Sequence, residues 1–270
     1  MNIRNFPFIS ILTVLITGCA GIFVAGDSAP RNPPPNLDSI PDAVPKVEPV
    51  TTKGNPSSYV VFGKRYYTIK DTNGYTERGI ASWYGTKFHG RKTSNGEEYD
   101  MYAMSAAHKT LPIPSYVEVR NLRNNRKVIV RVNDRGPFAH NRIIDLSYAA
   151  AHKLDILGKG TALVEIRVID PRKPATIMAQ QSQETGSETD VHEANLYLQV
   201  GAFSKRDNAE DLRKYLASSL TSSVQINEIN NKPKSLYRVQ VGPIDTVEEI
   251  DRLSEQLASL GIKTPKVIID

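Results

Sequence analysis

Carboxylates carry the chemistry that this sequence can offer between residues 59 and 170. Glu97, Glu98, Asp100, Asp134 and Asp145 lie there with His108 and the aromatic pair Trp83-Tyr84, in segments rich in glycine. Asn133-Asp134-Arg135-Gly136-Pro137 follows a run of alternating valines, so Asp134 stands at the end of a predicted strand, where a carboxylate projects from a rigid element into a groove. Thr93-Ser94-Asn95-Gly96-Glu97 reads as a turn that brings a second carboxylate near the first. Taken singly, a histidine is more often structural and an aspartate more often paired or capping; clustering is what points to function here. Other chemistries lack their residues. No serine stands in a nucleophile elbow and no phosphate-cradling loop occurs. The histidines at 89, 108, 140 and 152 have no HExxH arrangement, and one cysteine cannot build a Cys-based zinc cluster, so no metal and no cofactor are expected.

The elements that must position these groups are mostly strands. Val117 and Val119, then Val128, Val130 and Val132, alternate with polar residues on either side of Asn124-Asn125, as half-buried hairpin strands do. A strand over Gly79 to Tyr84 precedes them, and Val164 to Ile169 closes the segment. A short helix, about Ser147 to Leu154, has Ser147 as its N-cap and Gly158 shortly beyond its end. Few helices, many short strands and numerous Gly and Asn residues predict a small closed barrel.

The chain has 270 residues, room for one large domain or two small ones with linkers. Its 40% hydrophobic and 23% charged residues are near globular values, and a negative mean hydropathy excludes a polytopic membrane protein. The net charge of +5 is spread along the chain, without the basic runs of a nucleic-acid arm. One cysteine excludes an intramolecular disulfide framework. That residue, Cys19, ends a segment in which Arg4 precedes the apolar stretch Phe6 to Ile16, a secretion signal too short to span a bilayer. Leu15-Ile16-Thr17-Gly18-Cys19 resembles the lipobox of bacterial lipoproteins, which implies removal of residues 1–18 and lipid on Cys19. An ordinary signal cut near Ala20 or Ala25 is the alternative. By the same resemblance, Ala20 after the cysteine implies the outer membrane. Residues 27–58 hold eight prolines and few large apolar side chains. Residues 19–58 are therefore expected to be a tether without a core, reaching on the order of 100 Å from its 32 proline-rich residues at about 3.1 Å each. A second polar stretch, 171–194, reads as an interdomain linker.

Residues 195–270 contain an internal echo, Gln199-Val200-Gly201 and Gln240-Val241-Gly242, each ending a strand before a helix. Asp207 with Glu210 and Thr246 with Glu249 have capping-box spacing, and Gly261 fits the position after the second helix. The order β-α-β-β-α-β predicts a ferredoxin-like four-stranded sheet with both helices on one side. Alternation then turns Leu196, Leu198, Val200, Tyr237, Val239 and Val241 toward the helices and leaves Gln199, Arg238 and Gln240 on the open face. Such a face suits a sugar chain or a nucleic acid, or is merely solvated. Leu198-Gln199-Val200-Gly201-Ala202-Phe203 and Tyr237-Arg238-Val239-Gln240-Val241-Gly242-Pro243 resemble the signature segments of SPOR domains, which implies binding of peptidoglycan glycans stripped of stem peptides. RNA-binding modules share the topology, but their aromatic ladder is missing and export argues against nucleic acid.

Residues 59–170 resemble the rare lipoprotein A (RlpA) family in five ordered blocks: Ala81-Ser82-Trp83-Tyr84-Gly85, Phe88-His89-Gly90, Thr93-Ser94-Asn95-Gly96-Glu97, Ala106-Ala107-His108-Lys109-Thr110-Leu111-Pro112 and Val132-Asn133-Asp134-Arg135-Gly136-Pro137-Phe138. The resemblance implies a double-psi β-barrel and a lytic transglycosylase, a lyase that cuts the MurNAc to GlcNAc bond of naked glycan strands during daughter-cell separation, with septal division proteins as further partners. It also makes Glu97, His108 and Asp134 the active-site residues. In that chemistry an acid protonates the glycosidic oxygen and the MurNAc C6 hydroxyl closes a 1,6-anhydro ring. Asp134 is expected to serve as acid and base in turn, Glu97 to stabilise the oxocarbenium ion, and His108 to orient or tune a carboxylate. Trp83 and Tyr84 are expected to stack on sugars or to pack in the core. A non-catalytic glycan binder and a plain hydrolase remain the alternatives.

Overall fold

The computed structural model describes residues 27–139, 141–173, 195–231 and 234–269. Cys19 with its secretion signal, His140 and residues 174–194 of the expected linker lie outside the described residues. A hairpin of β1 (Ser58–Val61) and β2 (Lys64–Tyr67) precedes six strands that close a barrel: β3 (Thr76–Tyr84), β4 (Ser105–His108), β5 (Ser115–Asn121), β6 (Lys127–Asp134), β7 (Arg142–Ser147) and β8 (Thr161–Ile169). Their order around the barrel is β3-β7-β4-β6-β5-β8. β5 and β6 form the hairpin that the valine alternation predicts, with Asn125 at φ +56° in the turn, a conformation asparagine tolerates. Val117, Val119, Val128, Val130 and Val132 point inward and are at most 1% exposed. The predicted helix is α1 (Tyr148–Lys153), capped by the Ser147 hydroxyl, which accepts from the Ala150 N–H at 3.3 Å.

β3 pairs parallel with β7, and β4 with β6; the other neighbours run antiparallel. Each parallel pair has one extra residue. Ser105, Ala106 and Ala107 lie opposite Arg131, Val132 and Asp134, which leaves Asn133 as a bulge. Ile80 and Ala81 lie opposite Arg142 and Ile144, which leaves Ile143 as another. A bulge resets the alternation of side chains. Arg131 and Asp134, which strict alternation would send to opposite faces, therefore share the outer face of the barrel with Ser105 and Ala107.

The proline-rich segment is not a free tether over residues 27–56. Leu37 is 5% exposed and belongs to the barrel's apolar cluster, with Ile40 and Ala43 packed against it. The Ala43 N–H donates to the Ile129 carbonyl at 3.0 Å, and the Ile129 N–H donates to Asp42 at 2.9 Å. Further on, the Thr51 N–H donates to the Ile113 carbonyl at 2.9 Å and the Ile113 N–H to Asn55 at 2.8 Å. Proline holds a chain extended in advance, so laying it along a strand costs little further entropy. A few well-placed side chains then suffice to keep it there as a strap.

The C-terminal domain has the predicted order: β9 (Leu196–Phe203), α2 (Arg206–Ala217), β10 (Val224–Asn231), β11 (Lys234–Ile244), α3 (Val247–Ser259) and β12 (Lys266–Ile269). The sheet is antiparallel with order β10-β11-β9-β12. Thr246 caps α3, accepting from the Glu249 N–H at 3.1 Å, and Gly261 at φ +91° follows that helix. The other expected cap differs. Lys205 precedes α2 with no side-chain cap, and Asp207 lies in the first turn, where a carboxylate favours the helix through its dipole. The barrel meets this domain at α3: Arg142 pairs with Asp251, Asn141 donates to the Ser254 hydroxyl at 2.7 Å, and Ile80 and Leu163 join its apolar cluster.

Candidate active site

Asp134 is half-buried and held by one oxygen. Its Oδ1 accepts from the Ser94 N–H at 2.8 Å, from the Ser94 hydroxyl and from the Arg135 N–H at 2.7 Å. Among the described residues its Oδ2 takes no hydrogen bond. The backbone behind it is fixed as well, because the Arg135 guanidinium donates to the carbonyls of Gly54 (2.8 Å) and His108 (3.2 Å) and to Asn55 Oδ1 (2.9 Å). Ser94 is delivered by the predicted turn: the Thr93 N–H donates to the Glu97 carbonyl at 2.8 Å, and Gly96 occupies φ +92°, a conformation other residues resist.

Glu97 has both oxygens engaged. Arg131 donates to them at 2.8 and 3.0 Å and Asn133 Nδ2 at 3.1 Å. Burial pushes the Glu97 carboxyl up, but the hydrogen bonds from Arg131 and Asn133 and the arginine's charge outweigh it and hold the group below the ordinary carboxylate range. The same guanidinium grips Glu48 of the strap at 2.9 and 3.0 Å, so two carboxylates share one arginine and the three together keep a negative charge. A cavity of about 460 Å³ opens beside Glu97, lined also by Asp100, Ser105, Tyr116, Arg131 and Asn133. The bulge at Asn133 brings the Glu97 and Asp134 carboxyls to one face, as the sequence predicts without knowing the device.

His108 is placed differently. It is 2% exposed, its Nδ1 accepts from the Thr110 and Leu111 N–H groups at 3.2 and 3.0 Å, and Nε2 lies 3.6 Å from Glu77. Burial pushes its imidazolium down, and the two amides fix the proton on Nε2. Its ring tunes Glu77 rather than Glu97 or Asp134, and its link to the site is the carbonyl that holds Arg135. Tyr84 cannot stack on a sugar: it is 7% exposed, with its ring on Tyr99 at 4.0 Å. Trp83 is half-buried and edge-on to Tyr148 at 5.7 Å. On the C-terminal sheet Gln199 and Arg238 are half-buried, but Gln240 is 1% exposed: β11 keeps its alternation against β10, and Gln240 lies between its cross-strand partners Gln199 and Gln225. Sequence reasoning missed Arg131, Glu48 and Asn55. The last two sit in a stretch whose composition signals no structure, and only the fold brings them to the barrel.

A closed barrel with two held carboxylates on one face, followed by a four-stranded SPOR-type sheet, defines the class, a double-psi barrel of the lytic transglycosylase kind. Residues 76–166 match the family model described as lytic transglycolase, and residues 193–268 match the SPOR domain. The chain is 42% identical over 261 residues to the endolytic peptidoglycan transglycosylase RlpA of Vibrio cholerae, covering 95% of this chain and 94% of that one. It is 39% identical over 280 residues to the protein of the same name from Pseudomonas aeruginosa, covering 86% and 82%. A crystal structure of the RlpA SPOR domain from Pseudomonas aeruginosa is 33% identical over 27% of this chain and 96% of that chain, with a TM-score of 0.26. The chain belongs to the RlpA family.

Proposed function

We propose that the protein is an endolytic peptidoglycan transglycosylase that cleaves MurNAc to GlcNAc bonds in glycan strands lacking stem peptides and leaves 1,6-anhydroMurNAc ends. It acts at the septum during daughter-cell separation, as an outer-membrane lipoprotein anchored through Cys19 and facing the periplasm. The observation that carries the reading is the half-held Asp134: Oδ1 is fixed by three donors while Oδ2 is left to meet a ligand. Asp134 handles a proton at the reacting bond, and the ionised Glu97, fixed by Arg131, supports the positive charge that develops on the sugar. His108 acts as a positioning residue through its carbonyl. Family membership supports the activity, and the SPOR domain supports recognition of the glycan.

Mass spectrometry tests this directly, after the purified protein meets glycan strands with and without stem peptides. Anhydro ends released from naked strands only are the expected result. Reducing MurNAc ends would make the protein a hydrolase, and intact strands that still co-sediment with it would make it a septal glycan binder. Metabolic labelling with palmitate, lost in Cys19→Ala, tests the anchor.

A further inference from the structure

Asp145, on β7, mirrors Asp134 across β4. Ala107 is the register partner of both: of Asp134 on one side and of Asp145 on the other. Partners across a sheet share a face. Two strand spacings separate their Cα atoms by about 10 Å, and the strand between them contributes Ala107 at that register. The row goes on to β3, where Ser82 lies opposite Asp145 and donates its hydroxyl to Asp145 Oδ1. Tyr84 shares that face of β3. Burial first, then the charges of neighbours that include Asp134 and Asp145, hold its phenol protonated, so its hydroxyl lies within the field of both carboxylates. Asp145 is half-buried. Ser82 and Tyr84 face it from β3, Lys109 from the end of β4, Arg142 from its own strand, Asp27 from the strap and Tyr99 from the loop after the turn at Gly96. Burial pushes its carboxyl up against the opposing pull of Ser82, Arg142 and Lys109.

We infer that Asp145 is a catalytic residue, the second carboxyl of a pair with Asp134, and that the two divide the proton transfers of the cleavage between them. The inference rests on the transglycosylase reading and assigns its acid. The Asp145 carboxyl gives its proton to the glycosidic oxygen as the bond from that oxygen to C1 of MurNAc breaks, and GlcNAc leaves with a new 4-hydroxyl. The C6 oxygen of the same MurNAc bonds to C1, and its proton passes to Asp134. No water is consumed. Asp134 then holds one proton more and Asp145 one fewer, and exchange with solvent restores both. Small Ala107 fits this arrangement, since a larger side chain there would stand between the two carboxyls.

Asp145→Asn in the full chain keeps an acceptor for the Ser82 hydroxyl. It is expected to lower the rate of anhydro-end formation on naked strands at least about 100-fold, the lower range for loss of a general acid, with glycan co-sedimentation and melting temperature unchanged. Activity within threefold of the unsubstituted protein would overturn the inference while leaving the transglycosylase reading intact. An unsubstituted protein that forms no anhydro ends would sink both. Ser82→Ala decides the matter even where Asp145→Asn fails to fold. Removing a donor to the ionised form raises the proton affinity of Asp145, so the basic limb of the kcat/KM profile moves to higher pH. A limb that stays in place assigns Asp145 a structural role and overturns the inference.

Discussion

The barrel and the C-terminal sheet present their polar groups in opposite ways. On the barrel, Asp134 Oδ1 and both oxygens of Glu97 have their donors in place before any substrate arrives, and Arg131 and Arg135 are themselves saturated by acceptors from three segments of the chain. On the sheet, the side chains of Gln199 and Arg238 make no hydrogen bond among the described residues. The contrast separates two tasks. Breaking a bond requires groups held to fractions of an ångström, whereas gripping a chain requires donors still unused.

Substitutions on the two sides should therefore fail in different currencies. The largest effect is expected from Asp134→Asn, a loss of about 100- to 10,000-fold in anhydro-end formation, as for removal of a general acid or base, with co-sedimentation on glycan unchanged. A parallel loss of binding would show that the barrel, too, works as a grip. Glu97→Gln releases a group that is fixed rather than free, and a fall of about 10- to 100-fold in kcat, with KM little changed, is expected from misplacement at the site. It sharpens the electrostatic side as well. Because the folded Glu97 titrates below its unfolded value, its contribution to stability is full above the ordinary glutamate range and is lost as pH falls through the folded value. Melting curves of Glu97→Gln should accordingly lose part of their dependence on acid. Leu37→Ala tests the strap: a loss of about 2 kcal/mol in denaturant titrations is expected from emptying an apolar site that can partly collapse, and no loss would mean the strap adheres without stabilising. The smallest effect falls on the sheet, where Arg238→Ala should weaken co-sedimentation about threefold to tenfold and leave turnover of short soluble glycans untouched.

The two regions also differed in how far their sequences could be read. In the C-terminal domain α3 and β9 carry their own local signals, so Thr246, Gly261 and the alternation of Leu196 and Leu198 are decisive without knowledge of neighbours, whereas the cap of α2 and the burial of Gln240 are not. In the barrel the β5–β6 hairpin is equally local, and Asp134 and Glu97 stand out by motif. The bulge is a different matter, because Asn133 is an extra residue only with respect to β4. The alternation of Val128, Val130 and Val132 continues on paper to Asp134 and would turn it inward. Tyr84 and Trp83 are adjacent aromatics, and it is the packing of Tyr99 against Tyr84 that decides which is covered. Composition conceals the strap because it averages over a segment, whereas Leu37, Asp42, Glu48 and Asn55 act one at a time.

The bulge at Asn133 also determines which changes of length this gene can survive. An extra residue can be lost without a change of register. Without Asn133, Val132 and Asp134 would still lie opposite Ala106 and Ala107, and plain alternation would keep Asp134 on the face of Arg131, at the cost of the Asn133 donor to Glu97. The same loss in the Asn124-Asn125 turn would merely shorten a loop. Divergence of the barrel is therefore expected to tolerate changes of length at the turn and at the bulge, and to stop at a one-residue deletion between Val128 and Val132, which would set those two valines on opposite faces.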